Sequence, residues 1–350
     1  MSNDAKPMWA RLGAATGVAL LLVAYPLLFP GALNVGVTLV LFAALAYAWD
    51  VLGGWAGQLS LGHAALVGLG AYTFGLLTQS PAWARFGAEG IGLALAATAA
   101  VAAVATLLWG WIAFRLRGPY FTLSTIAVAE ILRLVATNER RWTGGAEGLF
   151  LANLPPVAGL DPFDRTVEYY AALVLLGAAM AGAWWLSRSR FGYYLQAIRE
   201  DEDAAMALGI APLRYKLQAF ALSGVATALG GALYAVFLSF FEPHGVFDIG
   251  LSIQIALVAI IGGTGTLFGP LIGSAVLVLS AEFFRASFRE ANLLIYGILI
   301  VLVVRFAPQG IVGTLGGLER RWRARHERDA AAHPAVEGLE RGLRGASRPS

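Results

Sequence analysis

The chain has 350 residues, of which 58% are hydrophobic and 13% charged, with a mean hydropathy of +0.68 and a formal net charge of +3. Soluble domains carry about 25% charged residues, so this composition excludes an ordinary globular domain and points to an integral membrane protein. Cysteine is absent, which excludes disulfides, thiolate metal sites and cysteine nucleophiles within the chain. In a membrane protein the arginine excess reports topology, not nucleic-acid binding.

Lys6 and Arg11 precede a first apolar run that ends at Phe29. No small-x-small cleavage pattern follows it, so it reads as an uncleaved span. Further runs lie near 33–52, 58–78, 90–114, 118–136, 168–187, 214–240, 250–262, 266–285 and 291–306. A helix needs about 20 apolar residues to cross the hydrocarbon core, which predicts an all-α polytopic bundle of about 8–10 transmembrane helices. That bundle occupies residues 1–317. The run at 250–262 is short and bounded by glycine, as in a half-helix or re-entrant segment. With the N-terminus inside, Arg115, Arg117, Arg188, Arg190, Arg199, Arg214 and Lys216 all face the cytoplasm, as the positive-inside rule requires. Both termini are then cytoplasmic, while Arg140, Arg141, Arg165, Arg285 and Arg289 fall on the opposite side. The tail at 318–350 is polar and without apolar periodicity, and is expected to be a disordered cytoplasmic extension.

Gly53, Gly54, Gly57 and Gly62 interrupt the second and third runs and surround Gln58, Ser60 and His63. Polar groups at membrane depth face a bundle interior or a cavity. Two readings follow for these residues: they line a solute pathway, or they bond a neighbouring helix across a glycine contact. His63 has no second ligand at metal-binding spacing. Thr122 and Ser124 either line a polar path or bond the carbonyls of the preceding turn. Glu130 and Arg133 are one helical turn apart and are expected to form a structural ion pair. Thr143-Gly-Gly-Ala-Glu-Gly148 suits a turn at a pathway mouth, with Glu147 open to a partner. A second glycine-rich stretch, Ile261-Gly-Gly-Thr-Gly-Thr-Leu-Phe-Gly-Pro270, has the rhythm of Gly53-Gly-x-x-Gly-x-Leu, as counterparts in an internal duplication would. Neither is a phosphate-binding P-loop, which needs Gly-Lys-[Ser/Thr]; the only lysines are Lys6 and Lys216.

Between two apolar runs lies a polar island, from Ser187 to Arg214. It carries Glu200, Asp201, Glu202 and Asp203 in series, followed by Ala204, Ala205, Met206, Ala207, Leu208 and Gly209. Asp203 is expected to cap a short helix, with Gly209 and Pro212 ending it. Ala204, Met206, Leu208 and Ile210 then present apolar surface beside charges, as a protein-docking element does. The competing reading is a solvated loop helix resting on its own bundle.

The stretch from Gln196 to Ile210, then Arg214-Tyr-Lys-Leu and Gly230-Gly-Ala-Leu-Tyr234, resembles the permease subunit of branched-chain amino-acid ABC importers, in their LivM-like branch. Gly57-Gln-Leu-Ser-Leu-Gly-His63, Arg117-Gly-Pro-Tyr-Phe121, the Thr143 motif and Gly262-Gly-x-Gly-x-Leu-x-Gly-Pro270 match in the same order. The resemblance implies a coupling-helix loop at 188–214, with Arg199, Glu200, Asp201, Ala204, Ala205, Leu208 and Gly209 meeting a cytoplasmic ATPase. It further implies a pair of ATPase subunits, a homologous second permease, a periplasmic substrate-binding protein and a lipid environment in the bacterial inner membrane. This chain would then hold no cofactor, ATP and magnesium being used by its partners, and would not itself be an enzyme. The implied cargo is leucine, isoleucine or valine, with urea or short amides as the alternative within the family. An ion-coupled secondary transporter would instead place a charged relay deep in its spans, and a membrane enzyme would need a catalytic constellation that the sequence lacks.

Overall fold

The computed structural model describes residues 8–116, 118–151, 154–287, 297 and 310–314. The tail at 318–350 and most of the apolar run at 291–306 lie outside them. The described chain is a helical bundle. In order it forms α1 (Met8–Leu28), α2 (Leu33–Asp50), α3 (His63–Gln79), α4 (Pro81–Ala84), α5 (Gly87–Ala113), α6 (Pro119–Asn138) and α7 (Arg140–Thr143). After a two-residue strand β1 (Leu149–Phe150) come α8 (Arg165–Leu186), α9 (Arg190–Glu200), α10 (Glu202–Ala207) and α11 (Pro212–Leu238). Strand β2 (Phe240–Phe241), α12 (Pro243–Val246), α13 (Ile249–Gly262) and α14 (Gly269–Ser287) complete it. Among the described residues, 6 helical segments are long and apolar enough to cross a membrane. The shorter α3 packs along α11; where a half-helix or re-entrant segment was expected at 250–262, α13 joins α12 in one of these membrane-length segments, Pro243–Gly262.

α2 is the axis of the bundle. It is apolar all round and buried without a break from Val40 to Asp50, as a helix enclosed by other helices must be. α3 and α11 cross at backbone contact: a methyl group on Gly70 would overlap the Ala228 carbonyl oxygen, and one on Gly231 that of Val67. In lipid, where apolar burial gives helices little reason to associate, such small-residue contact supplies the packing. α1 is fastened to α8 for a local reason. Pro26 has no N–H, which frees the Leu22 carbonyl one turn back; the Tyr169 hydroxyl donates to that oxygen at 2.7 Å.

Apolar side chains of α5, α6 and α8 point outward, including Val104, Leu108, Leu123, Ile131 and Val174. Near the polar island the belt ends in aromatic–arginine pairs, Arg115 over Trp111 at 4.2 Å and Arg188 over Trp184 at 4.7 Å. This is the signature of a membrane–water interface. At the opposite end β1 pairs antiparallel with β2, a small ribbon not foreseen in an all-α reading. It forms because Ser239 caps α11 in a left-handed conformation (φ 59°), turning Phe240 and Phe241 back against the loop after α7.

Candidate functional site: the polar island and two interrupted helices

The island folds as two helices, not one. Ser189 caps α9 by accepting from the Gly192 N–H at 3.1 Å, and Asp201 caps α10 by accepting from the Ala204 N–H at 2.9 Å. The cap expected at Asp203 therefore sits two residues earlier. Asp203 and Glu202 occupy the first turn of α10, where acidic side chains face the positive end of the helix. Gly209, in the left-handed region at φ 84°, ends it, and Pro212 opens α11. The face offered to solvent carries Glu200, Ala204, Met206 and Leu208, the last 82% exposed. Ala205 turns the other way and is buried against the bundle, so of the expected docking residues it anchors the helix and does not present itself to a partner.

Two charges fasten the island to the bundle. Lys216, only 6% exposed at its side chain, donates to Glu202 at 2.6 Å. Arg199 turns its guanidinium inward, and Nη1 donates to the Gly54 carbonyl at 2.6 Å. That carbonyl belongs to a π-helical turn, Val51–Trp55, that ends α2. π turns leave backbone groups without their usual partners and recur at functional sites. Gly57 follows with φ 68°, and a side chain there would collide with Arg199.

From Ala56 to Gly62 the chain is irregular, neither helix nor strand, so the helix expected over 58–78 begins only at His63. Non-helical backbone inside a bundle needs partners for its polar groups, and here side chains of α2, α6 and α13 supply several of them. The Trp49 indole donates to the Ser60 carbonyl at 2.8 Å, and Thr122 to the Leu59 carbonyl at 2.8 Å. The Leu61 N–H donates to Thr125 at 3.1 Å, and the Ala64 N–H to Ser252 at 2.8 Å. His63 bridges Ser60 (3.1 Å) and Ser223 (2.9 Å) while fully buried. Of the five residues expected on a pathway, Ser60 and His63 are thus fully buried at the interruption. Gln58 and Thr122 lie on its part-open side, and Ser124 bonds the Phe121 carbonyl in its own helix.

The second glycine stretch forms the turn between α13 and α14 and meets the first. The Gly265 N–H donates to both carboxylate oxygens of Asp50, at 2.9 and 3.0 Å, and the Tyr47 hydroxyl donates to the Leu267 carbonyl at 2.5 Å. A side chain on Gly54 would strike Asp50, so the two interruptions are in backbone contact. Gly310 returns the chain to the same place, against Gly263. Asp50 escaped the sequence reading because it stands at the end of an apolar run beside more conspicuous glycines. A lone carboxylate three residues before Gly53-Gly54 was the available signal.

At the far end, Arg133 pairs with Glu130 at 2.5 Å as expected, and also reaches the His244 ring at 3.1 Å. Among the described residues no three His, Asp or Glu side chains converge as metal ligands would. A multi-pass bundle with two interruptions in contact, and a polar helical island bonded to the first of them, is an arrangement suited to a membrane transport protein.

Residues 12–304 match the family described as the permease component of branched-chain amino acid transport systems, and the chain belongs to it. It is 30% identical over 314 residues to the high-affinity branched-chain amino acid transport system permease protein LivM of Salmonella typhimurium, covering 83% of this chain and 72% of that one. Against the Escherichia coli protein of the same name the identity is 30% over 321 residues, with 84% and 74% covered. The autoinducer 2 import system permease protein LsrC of Klebsiella pneumoniae is 29% identical over 184 residues, about half of each chain. No solved structure matches.

Proposed function

We propose that this permease carries leucine, isoleucine and valine across a bacterial inner membrane, driven by a pair of ATPase subunits that dock on the island from the cytoplasm. A homologous second permease and a periplasmic binding protein complete the assembly. ATP and magnesium act in the partner subunits, and this chain supplies no cofactor site and no catalytic residue. The cargo follows the names of the relatives that align along most of the chain. The autoinducer relatives align over only half of it, so a different cargo has weaker support.

The observation that carries the coupling half of this reading is the bond from Arg199 to the Gly54 carbonyl. A force on α10 and α9 reaches the interrupted end of α2 through that bond, and reaches the α13–α14 turn through Asp50 and Gly265. Nucleotide closure of the ATPases would shift both interruptions together. Gln58 and Thr122, on the part-open side of the irregular segment, would line the path; Ser60, His63 and Ser124 would hold it in shape. On the docking face, Glu200, Asp201, Ala204, Leu208 and Gly209 would meet the ATPase, with Ala205 as the anchor and Arg199 as the transmitting residue.

The test is uptake of labelled leucine by the complete complex in proteoliposomes. ATP-dependent uptake that the binding protein requires, and that Gly209→Arg abolishes without loss of assembly, is the expected result. Uptake that follows a proton or sodium gradient without ATP would overturn the coupling. ATP-driven uptake of urea or autoinducer 2 in preference to leucine would overturn the cargo.

A further inference from the structure

The polar island keeps its charges apart. Glu200, Asp201, Glu202 and Asp203 lie at the α9–α10 junction, where Glu200 and Glu202 pair with Arg199 and Lys216. The island's remaining arginines, Arg188, Arg190 and Arg214, are exposed and take no carboxylate partner among the described residues. Arg188 and Arg190 stand on either side of the α9 cap, Ser189, roughly 14 Å along that helix from Arg199. The Tyr215 ring meets Phe191 at 6.0 Å and Tyr194 at 5.1 Å, which brings the first turn of α11, with Arg214, to the same end.

This end of α9 reaches the outside of the bundle. Arg188 lies over the Trp184 ring, Trp185 stacks on Phe191 at 6.0 Å, and both indoles stay half-exposed. Unpaired positive charges beside interfacial tryptophans complement an anionic headgroup, whereas a zwitterionic lipid brings a compensating cation with its phosphate. We propose that the outer end of α9 is a contact surface for an anionic phospholipid of the leaflet on the island side. Its phosphate sits among Arg188, Arg190 and Arg214, and its acyl chains run along Trp184 and Trp185. A protein occupant would have to bring carboxylates to the same three positions; the membrane already supplies anionic phosphate at that level. α9 is also the helix whose Arg199 holds the Gly54 carbonyl. The lipid thus anchors one end of a helix whose other end is bonded to the interruption of α2. The inference rests on this surface and holds whatever the cargo.

The chain has no native cysteine, so Ser187→Cys provides its single thiol beside these arginines. A benzophenone maleimide is attached there, and the complete complex is placed in vesicles of equal parts phosphatidylglycerol and phosphatidylcholine with matched acyl chains. After illumination, mass spectrometry of this chain reads which molecule has been captured. Phosphatidylglycerol is expected in excess by about fivefold for each arginine engaged, the factor that one basic residue near an anionic surface supplies. Arg188→Gln, Arg190→Gln or Arg214→Gln alone lowers the excess by about that factor, and Arg→Lys at all three positions retains it. Equal capture of the two lipids, an excess that survives all three Gln substitutions together, or capture of another protein chain in place of lipid overturns the proposal. Should the triple variant fail to assemble, the parent chain and the single variants decide by themselves. None of these outcomes bears on ATP-dependent uptake.

Discussion

The two ends of the bundle handle charge in opposite ways. At the island end, Arg199 bonds a carbonyl 145 residues away, Asp50 an amide 215 residues away, and Tyr47 a carbonyl 220 residues away. At the far end the carboxylates are paired locally, Glu130 with Arg133 and Glu168 with Arg165 three residues apart in one helix, while the two arginines also reach His244 and the Phe237 carbonyl. A local pair stays intact when its helix moves. A bond between distant segments makes them move together or break. The island end therefore joins distant segments through its charged groups, whereas the carboxylates of the far end are compensated within their own helices.

The largest expected effect is on transmission. Arg199→Ala should lower ATP-dependent uptake about tenfold while ATP hydrolysis by the complex continues, since a charged hydrogen bond contributes roughly 1.5–3 kcal/mol. Arg133→Ala at the far end should leave uptake within about twofold, as an ion pair at the protein surface contributes little. Equal losses in the two variants would erase the distinction between the ends. Next in size is Asp50→Ala, which strands the part-buried Gly265 amide. It should destabilise the purified complex by about 1–3 kcal/mol in thermal unfolding; an unchanged Tm would mean that the two interruptions do not depend on each other.

The smallest effect concerns a far-end cap. Asp164 accepts from the Thr166 N–H at 2.7 Å, and bonding to that backbone group holds its carboxyl below the usual aspartate value. A depressed folded value means that the stabilisation is present above the ordinary aspartate pKa and is lost as pH falls through the lowered one. Asp164→Ala should therefore reduce Tm slightly at neutral pH and match the parent protein in acid. A Tm gap that persists at low pH would assign the loss to packing and not to the cap.

Much of this was legible in the residues. Apolar runs of membrane-crossing length located the helices, because lipid leaves a spanning backbone few alternatives. Glycine clusters marked both interruptions, and the Glu130–Arg133 pair followed from helical spacing. The island was visible as a polar stretch between apolar ones, but its two-helix form was not. Asp201 and Asp203 are both competent caps, and the choice fell to whichever let Ala205 pack inward and Glu202 reach Lys216. The start of α3 was misplaced by five residues because Gln58 to Gly62 bond to Trp49, Thr122, Thr125 and their neighbours instead of to a helical turn.

The sequence by itself determined that the chain lies in a membrane, where its helices break, and which segment stands in water, since each of these follows from the local balance of apolar and polar groups. Only the tertiary structure decided what the breaks touch. Asp50, Arg199 and Gly265 are ordinary residues in their own neighbourhoods and become a linked unit because three distant segments converge. Glu168 likewise reads as half of a one-turn ion pair, and only the packing of the bundle leaves its second oxygen buried without a hydrogen-bond donor. Long-range contact depends on the whole fold, and no local pattern encodes it.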